Sequence, residues 1–158
     1  MKMKMHRIQE IVFPRARGNT TAKLFLEVLF LKIKDSEQPK FFFYEDGDTV
    51  PPVFVDAVDE VEEVCRVVET PSGKLLAFRN YILLRLNGES TKEQLLKFLE
   101  LQDYEYVSGL GFDDKIFVTR AKNPLSTDVF DKLLKFQQSG MFQFVEVEYF
   151  EGISQRDD

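Results

Sequence analysis

Cysteine and histidine are nearly absent from this chain of 158 residues, which contains one of each, Cys65 and His6. A single cysteine cannot form an internal disulfide, so the fold requires no oxidising compartment. A Cys–His nucleophile needs the two side chains adjacent and a third group to orient the base, and neither residue has neighbours at zinc-ligand spacing. We therefore expect a protein that is not an enzyme and has no metal and no cofactor.

Long apolar runs and an excess of basic charge are also lacking. The longest apolar stretch, residues 24–33, contains Glu27 and Lys32 and is far shorter than the roughly 20 apolar residues of a membrane span. With 21 basic and 27 acidic residues, the net charge of −6 opposes binding to nucleic acid or to an anionic membrane surface. We therefore expect no nucleic-acid partner and no membrane partner.

The basic N-terminus lacks the apolar core of a signal peptide. As it stands the chain is expected to be cytoplasmic, and an extracellular location stays open if a signal segment has been removed. The sequence does not indicate the oligomeric state.

Residues 1–63 are expected to form a β-rich N-terminal subdomain or extension. Residues 20–34 are rich in β formers and hold no Gly or Pro, which predicts one long strand or a bent pair, with a helix as the alternative. Residues 40–44 predict a second strand that completes a hairpin. The Asp-Gly and Pro-Pro pairs within residues 45–52 predict a linker.

The next stretch, residues 53–69, is rich in valine and fits a helix less well than a strand. We expect a short helix or loop through Glu63 and a strand at residues 64–69. Residues 70–73, Thr-Pro-Ser-Gly, predict a type I turn that joins this strand to a second one at residues 74–78.

Residues 80–150 follow a β-α-β-β-α-β pattern. The first strand, residues 81–86, has a fully apolar face and ends at Asn-Gly. Ser90 and Glu93 predict a capping box for the first helix. Strands at residues 104–107 and 115–120 follow, joined by a glycine-containing turn.

The second helix is expected to be capped by Ser126 or Thr127 and to bury Phe130, Leu133 and Leu134. Residues 142–150 form the last predicted strand. Its apolar residues change face at Phe144-Val145, which predicts a bulge or exposure of both faces there.

Two such halves close into a four-stranded antiparallel sheet with both helices on one face, the ferredoxin-like arrangement. We therefore predict an α+β fold with a ferredoxin-like domain at residues 64–153 and a flexible tail at residues 154–158. An RNA-recognition domain shares this fold and would stack bases on Tyr81 and Phe117. The negative charge and the missing glycine-aromatic consensus of the third strand oppose that function.

Residues 64–153 resemble the N-terminal pro-domain that precedes subtilisin-like serine proteases in many bacteria. The resemblance lies in the order of features, and its most specific part is a helix followed by Ser-Gly and a strand that ends in the acidic Glu146. The matching pieces are Cys65-Arg66-Val67-Val68-Glu69, Pro71-Ser72-Gly73, Asn80-Tyr81-Ile82-Leu83-Leu84-Arg85-Leu86, the Ser90-capped helix, Lys115-Ile116-Phe117-Val118, Leu133-Leu134-Lys135-Phe136 and Ser139-Gly140-Met141-Phe142-Gln143-Phe144-Val145-Glu146.

The resemblance implies a domain whose open sheet face rests on surface helices of a subtilisin-like protease. The segment after the last strand would run extended into the active-site cleft as a product-like inhibitor, held by main-chain pairing. The protease-binding residues that this implies are Glu146, Glu148, Tyr149, Phe150, Glu151, Gly152 and Ile153.

Two features depart from the family pattern. Val147 occupies a position where the family often has proline, and the Gly-Thr-Ser and His-Gly segments of the protease itself are absent. The chain is therefore expected to be a stand-alone relative or the N-terminal part of a longer protein, acting as a protease inhibitor or folding partner. The alternative is an adaptor or regulatory domain that binds an unrelated protein or a small ligand.

Overall fold

The computed structural model describes residues 8–15, 18–33, 40–44, 61–151 and 153. Within these ranges the chain forms eight strands and two helices. The strands are β1 Ile8–Arg15, β2 Gly18–Ile33, β3 Lys40–Tyr44, β4 Val61–Glu69, β5 Leu75–Leu86, β6 Tyr104–Leu110, β7 Asp113–Ala121 and β8 Phe142–Phe150, and the helices are α1 Lys92–Leu101 and α2 Val129–Gln138.

All of these strands belong to one antiparallel sheet in the order β1-β2-β4-β5-β7-β6, with β3 paired to β2 and β8 paired to β5. β5 connects the two halves of the sheet. Its N-terminal half pairs with β4 and its C-terminal half pairs with β7. β8 pairs with residues from both halves, so β4 and β7 share the other edge of β5.

The predicted four-stranded ferredoxin-like sheet is wrong, because β1 to β4 extend the sheet to eight strands in the described part of the chain. The predicted strands at residues 74–78 and 81–86 are one strand, β5, since no Gly or Pro interrupts them. The extra length of β5 gives β4 an edge to pair with, and β2 then pairs with β4. The residue pattern within residues 80–150 does not indicate that β4 and β2 pair alongside β5.

The predicted hairpin of residues 20–34 and 40–44 is confirmed by the antiparallel pairing of β2 with β3. The turn at residues 70–73 is also confirmed, because the Gly73 N–H donates to the Thr70 carbonyl at 2.9 Å. Gly73 has a φ of +87°, which an L side chain rarely adopts. The predicted linker at residues 45–52 and the segment up to residue 60 lie outside the described residues, and the division into domains stays a prediction.

The first helix begins one residue later than predicted. Thr91, not Ser90, is the N-cap: its hydroxyl accepts from the Gln94 N–H at 3.2 Å, and the Gln94 side chain accepts from the Thr91 N–H at 2.9 Å. Ser-x-x-Glu and Thr-x-x-Gln overlap in this segment and both fit a capping box, so the local pattern could not choose between them.

The second helix also differs from the prediction at its start and on its buried face. Asp128 is its N-cap residue and makes no side-chain capping bond. The helix buries Val129, Leu133 and Phe136, whereas Leu134 is 52% exposed. The helix therefore presents a different face to the sheet from the one that its Leu133-Leu134 pair suggested.

Both helices pack on one side of the sheet, here called the helix face. Ile82, Leu84 and Leu86 of β5 form its centre, and residues from β1 and β2 belong to the same core. The other buried members of this main core are Phe13, Ala22, Leu24, Val68, Leu76, Phe78, Leu95, Leu99, Tyr104, Phe117, Ala121, Val129, Leu133, Phe136, Val145 and Val147.

Candidate functional site

The opposite side of the sheet carries a set of half-buried side chains on β5, β7 and β8. We call Leu83, Ile116, Val118, Phe144 and Glu146 the open face. Leu83 lies between Val118 and Glu146 in the strand register, and Ile116 and Phe144 flank the next position of this face on β5. Because Ile82 and Leu84 point to the helices, alternation along β5 turns Leu83 the other way.

Glu146 is the charged member of the open face. Arg85, which lies on the same side of β5, is bonded to Asp113 and Gln143. The register partner of Glu146 is Leu83, and the Glu146 carboxylate makes no hydrogen bond or ion pair with any residue that the structure describes. Other carboxylates of the sheet do have partners: Glu105 accepts from Arg120 Nε at 2.6 Å, and Asp113 accepts from Arg85 Nε at 3.0 Å. A half-buried carboxylate beside apolar side chains therefore retains its capacity to accept hydrogen bonds from a partner.

Asp113 lies at the rim of the open face and is held as a carboxylate. The Lys115 backbone N–H donates to it at 2.9 Å, and this bond, followed by the bond from Arg85, lowers the pKa of Asp113 below its ordinary value. A carboxylate with two donors and a lowered pKa is a poor proton acceptor at neutral pH. Asp113 thus acts as a structural ion-pair partner of β5.

A bulge in β5 lies at the end of the open face where β8 finishes. Three residues of β5, Arg79 to Tyr81, oppose the single residue Glu148 of β8 between the paired positions Phe78–Tyr149 and Ile82–Val147. Bulges re-aim side chains and often lie beside functional sites. Alternation from Phe78 and Ile82 places Arg79 and Tyr81 on the side of the open face, where the two side chains are in contact.

Arg79 is the centre of a cluster that joins three strands. Its Nε donates to Glu63 of β4 at 2.9 Å, a second nitrogen also bonds Glu63, and Nη1 lies 3.4 Å from Glu148 of β8. Its guanidinium carbon lies 4.4 Å from the centre of the Tyr81 ring and 4.7 Å from that of Phe150. The hydrogen bonds to Glu63 raise the pKa of Arg79, so this cation stays charged. We call these five residues the arginine cluster.

Asn80 lies on β5 between the residues that pair with β4 and those that pair with β7. It is buried, and its Nδ2 donates to the Val64 carbonyl at 3.2 Å and to the Ser126 carbonyl at 2.7 Å. A cavity of about 220 Å³ lies beside it, lined by Glu62, Glu63, Asn80, Tyr81, Glu105, Arg120, Ala121, Lys122 and Pro124. The charged groups around this cavity are already paired with one another or with neighbours.

The residues predicted to bind a protease do not share one surface. Glu146, Glu148 and Phe150 point to the side of the open face, whereas Tyr149 points to the helix face and packs 5.5 Å from Phe78 and 6.3 Å from Phe13 between ring centres. Successive side chains of a strand point to opposite faces, so Tyr149 cannot share a face with Glu148 and Phe150.

Beyond β8, Glu151 is exposed, Ile153 is half-buried, and Gly152 lies outside the described residues. β8 is irregular one residue before the predicted Phe144-Val145 position: between the pairs Arg85–Phe144 and Leu86–Phe142 it has one extra residue, Gln143. It separates Phe142, which packs on the helix face against Phe98 and Phe136, from Phe144 on the open face.

Two other candidate sites do not form. Phe117 is 5% exposed and lies on the helix face with Tyr106, so it cannot stack a base beside Tyr81 as RNA binding would need. Cys65 is buried, and burial raises the pKa of its thiol, which disfavours the thiolate that a nucleophile requires. His6 lies outside the described residues.

Arg79 was not identified from the sequence as the central residue of a cluster. The available signal was a polar pair, Arg79-Asn80, inside an otherwise apolar strand, because a charged residue within a half-buried strand needs a partner. Its partners Glu63 and Glu148 are 16 and 69 residues away in the chain and could not be identified from spacing.

Comparison with protein-family models, with curated proteins and with solved structures found no match to this chain. None of the helices in the described ranges is long and apolar enough to cross a membrane. No cluster of three or more His, Cys, Asp or Glu side chains able to hold a metal ion was found in those ranges.

Proposed function

We propose that this chain is a non-catalytic protein-binding domain that inhibits a subtilisin-like serine protease or assists its folding. The observation that carries the proposal is the open face, where half-buried apolar side chains surround the unpaired carboxylate of Glu146. The resemblance of residues 64–153 to subtilase pro-domains supports the choice of partner.

The open face suits a protein partner because it combines apolar area with a polar group that needs a donor. Covering Leu83 and Val118 removes apolar surface from water, which is favourable in proportion to the area. Covering Glu146 is costly unless the partner supplies a hydrogen-bond donor. The N-terminus of a surface helix has free backbone N–H groups and a partial positive charge, and it would meet this need.

The segment that follows β8 supports the inhibitory part of the proposal. β8 runs along an edge of β5 and ends at Phe150, a member of the arginine cluster whose side chain lies on the same side as the open face. A partner docked on the open face would therefore have the C-terminal segment close to its surface. An extended segment that binds a protease cleft by main-chain pairing inhibits as a product does.

The proposal is tested by titrating the purified chain against subtilisin-like proteases and following cleavage of a chromogenic peptide. Tight inhibition is expected, and Val118→Arg is expected to weaken it at least tenfold, because the arginine places an unpaired charge in the interface. Leu134→Arg, at an exposed apolar position on the outer side of α2, is the matched control and should inhibit as the wild type does. Failure of the wild-type chain to inhibit or bind any such protease would refute the proposal.

A second candidate is an adaptor domain that binds an unrelated protein through the same face. It is favoured by the fact that Leu83, Ile116, Val118 and Phe144 lie on strands whose pairing does not involve residues beyond Phe150. Deletion of residues 151–158, which removes the predicted protease-binding residues beyond β8, separates the two functions. Loss of inhibition supports the inhibitor, whereas unchanged affinity for a partner that is not a protease supports the adaptor.

A further inference from the structure

A second apolar cluster lies on the same side of the sheet as the open face, in the half of the sheet formed by β2, β4 and the start of β5. Ala77 belongs to this cluster, and its neighbours Leu76 and Phe78 point to the helix face. Strand alternation therefore places Ala77 and the cluster on the opposite side of the sheet. The buried members of this cluster, here called the seat, are Phe25, Val28, Phe30, Cys65, Val67 and Ala77.

Phe150, the last residue of β8, and Ile153 both pack against the seat. Phe150 is the register partner of Ala77, and Ile153 contacts the same cluster although it follows the last strand residue by three positions. Both side chains are half-buried. The segment predicted to enter a protease cleft is therefore in contact with its own domain at Phe150 and Ile153.

Arg79 also contacts Phe150. Arg79 is fixed by two bonds to Glu63 of β4, and its guanidinium lies over the Phe150 ring at 4.7 Å. A guanidinium fixed by a carboxylate and placed over a ring is a rigid contact, because its planar fork leaves little rotational freedom. The position and direction of the chain at Phe150 are thus set by residues from β2, β4 and β5.

We propose that the seat and Arg79 form an anchor that fixes where the inhibitory segment leaves the domain, so that Phe150 and Ile153 are positioning residues that bind the seat and not the protease. This inference rests on the proposed inhibitory function. It assigns a role to the N-terminal strands, because β2 supplies Phe25, Val28 and Phe30 to the seat. An anchored segment binds more tightly because less backbone entropy is lost on association.

The test is a double-mutant cycle between the seat and the segment, with inhibition of the protease as the readout. Ile153→Ala removes the contact from the segment, and Phe30→Leu changes the seat at a residue too buried to touch a docked protein. Each is expected to weaken inhibition about tenfold, and the double variant about as much as one single, since both disturb the same packing of the segment on the seat. Phe98→Leu, a similar change against the Phe136 ring on the helix face, controls for general loss of stability.

The outcomes are distinguishable. If the wild type inhibits but the two effects add, Ile153 contacts the protease directly and the anchor is refuted. If the wild type does not inhibit, the proposed function fails, and the anchor fails with it. Without protease, the Ile153 methyl resonance should show a ring-current shift that Phe30→Leu alters and Phe98→Leu does not. Absence of that shift would also overturn the inference.

Discussion

Replacing Arg79 by Met should destabilise the protein, because it removes the central residue of the arginine cluster, which joins β4, β5 and β8. The substitution keeps the length and apolar stem of the side chain but removes the cation that joins Glu63 of β4 to Glu148 of β8. The Glu63 side chain is 11% exposed and would be left without its partner. An uncompensated carboxylate at that depth is costly because water cannot fully replace the lost hydrogen bonds.

The magnitude follows from the burial of the two pairs. Removing one partner of a fully buried pair costs about 3–5 kcal/mol. The Arg79 side chain is 22% exposed, so the cost is discounted to about 2 kcal/mol. The Glu148 pair is longer and more exposed, and it adds less than about 1 kcal/mol together with the partial loss of the ring contacts. The sum, about 2–3 kcal/mol, corresponds to a decrease in Tm of roughly 5–10 °C.

Urea unfolding followed by far-UV circular dichroism measures this loss, and it suits a chain that has no tryptophan. The matched variants are Glu63→Gln and the double variant of Arg79→Met with Glu63→Gln. The double variant should lose at least about 1 kcal/mol less than the two single losses added together, because it leaves no buried charge unpaired. A loss below about 0.5 kcal/mol for Arg79→Met, or additive losses, would refute the description of Arg79 as the centre of the cluster.

Three further predictions concern the ends of α1 and the rim of the open face. Thr91→Ala should lower the free energy of unfolding by about 1 kcal/mol while Ser90→Ala changes it little, and equal effects would contradict the capping box at Thr91. Asp103 has a φ of +57°, so Asp103→Ala should cost about 1 kcal/mol in a urea titration, whereas Asp103→Gly should cost less. The pKa of Asp113 is lower in the folded state, so its stabilisation is present above the ordinary value of 3.8 and is lost as the pH falls through the folded value. The difference in Tm between the wild type and Asp113→Asn should therefore be constant at neutral pH and shrink in acid, and a difference that grows in acid would contradict the ion pair.

Several elements could be predicted locally because their signals are contained in a few adjacent residues. The turn at residues 70–73 needs a Gly at a positive φ, and the alternation of Ile82, Leu84 and Leu86 gives β5 one fully apolar face. β1 was missed because Gln9, Glu10 and Pro14 interrupt its apolar pattern. As the strand at one end of the described sheet, β1 tolerates a proline that lacks a backbone N–H.

The residues predicted to bind a protease are divided between the two sides of the sheet. Glu146, Glu148 and Phe150 do lie on the side of the sheet away from the helices, but the alternation of β8 removes Tyr149 to the core. The apolar members of the open face, Leu83 and Val118, were not chosen as binding residues. Their side chains become one surface only when β7 and β8 pair with opposite edges of β5.

The sequence establishes the approximate positions of most strands and of both helices between residues 64 and 150, since alternation, helical spacing and turn residues act over a few positions. It also determined that thiol chemistry has one buried candidate, Cys65. The number of strands in the sheet depends on pairing between distant segments, because an edge of β5 can accept β4 without any mark in its side-chain pattern. The partners of Arg79, the packing of Tyr149 against Phe78 and the contact of Ile153 with the seat likewise depend on contacts between distant segments. Hydrogen bonding between strands is a property of the backbone, which every sequence shares, so pairing is settled by the packing of the whole chain.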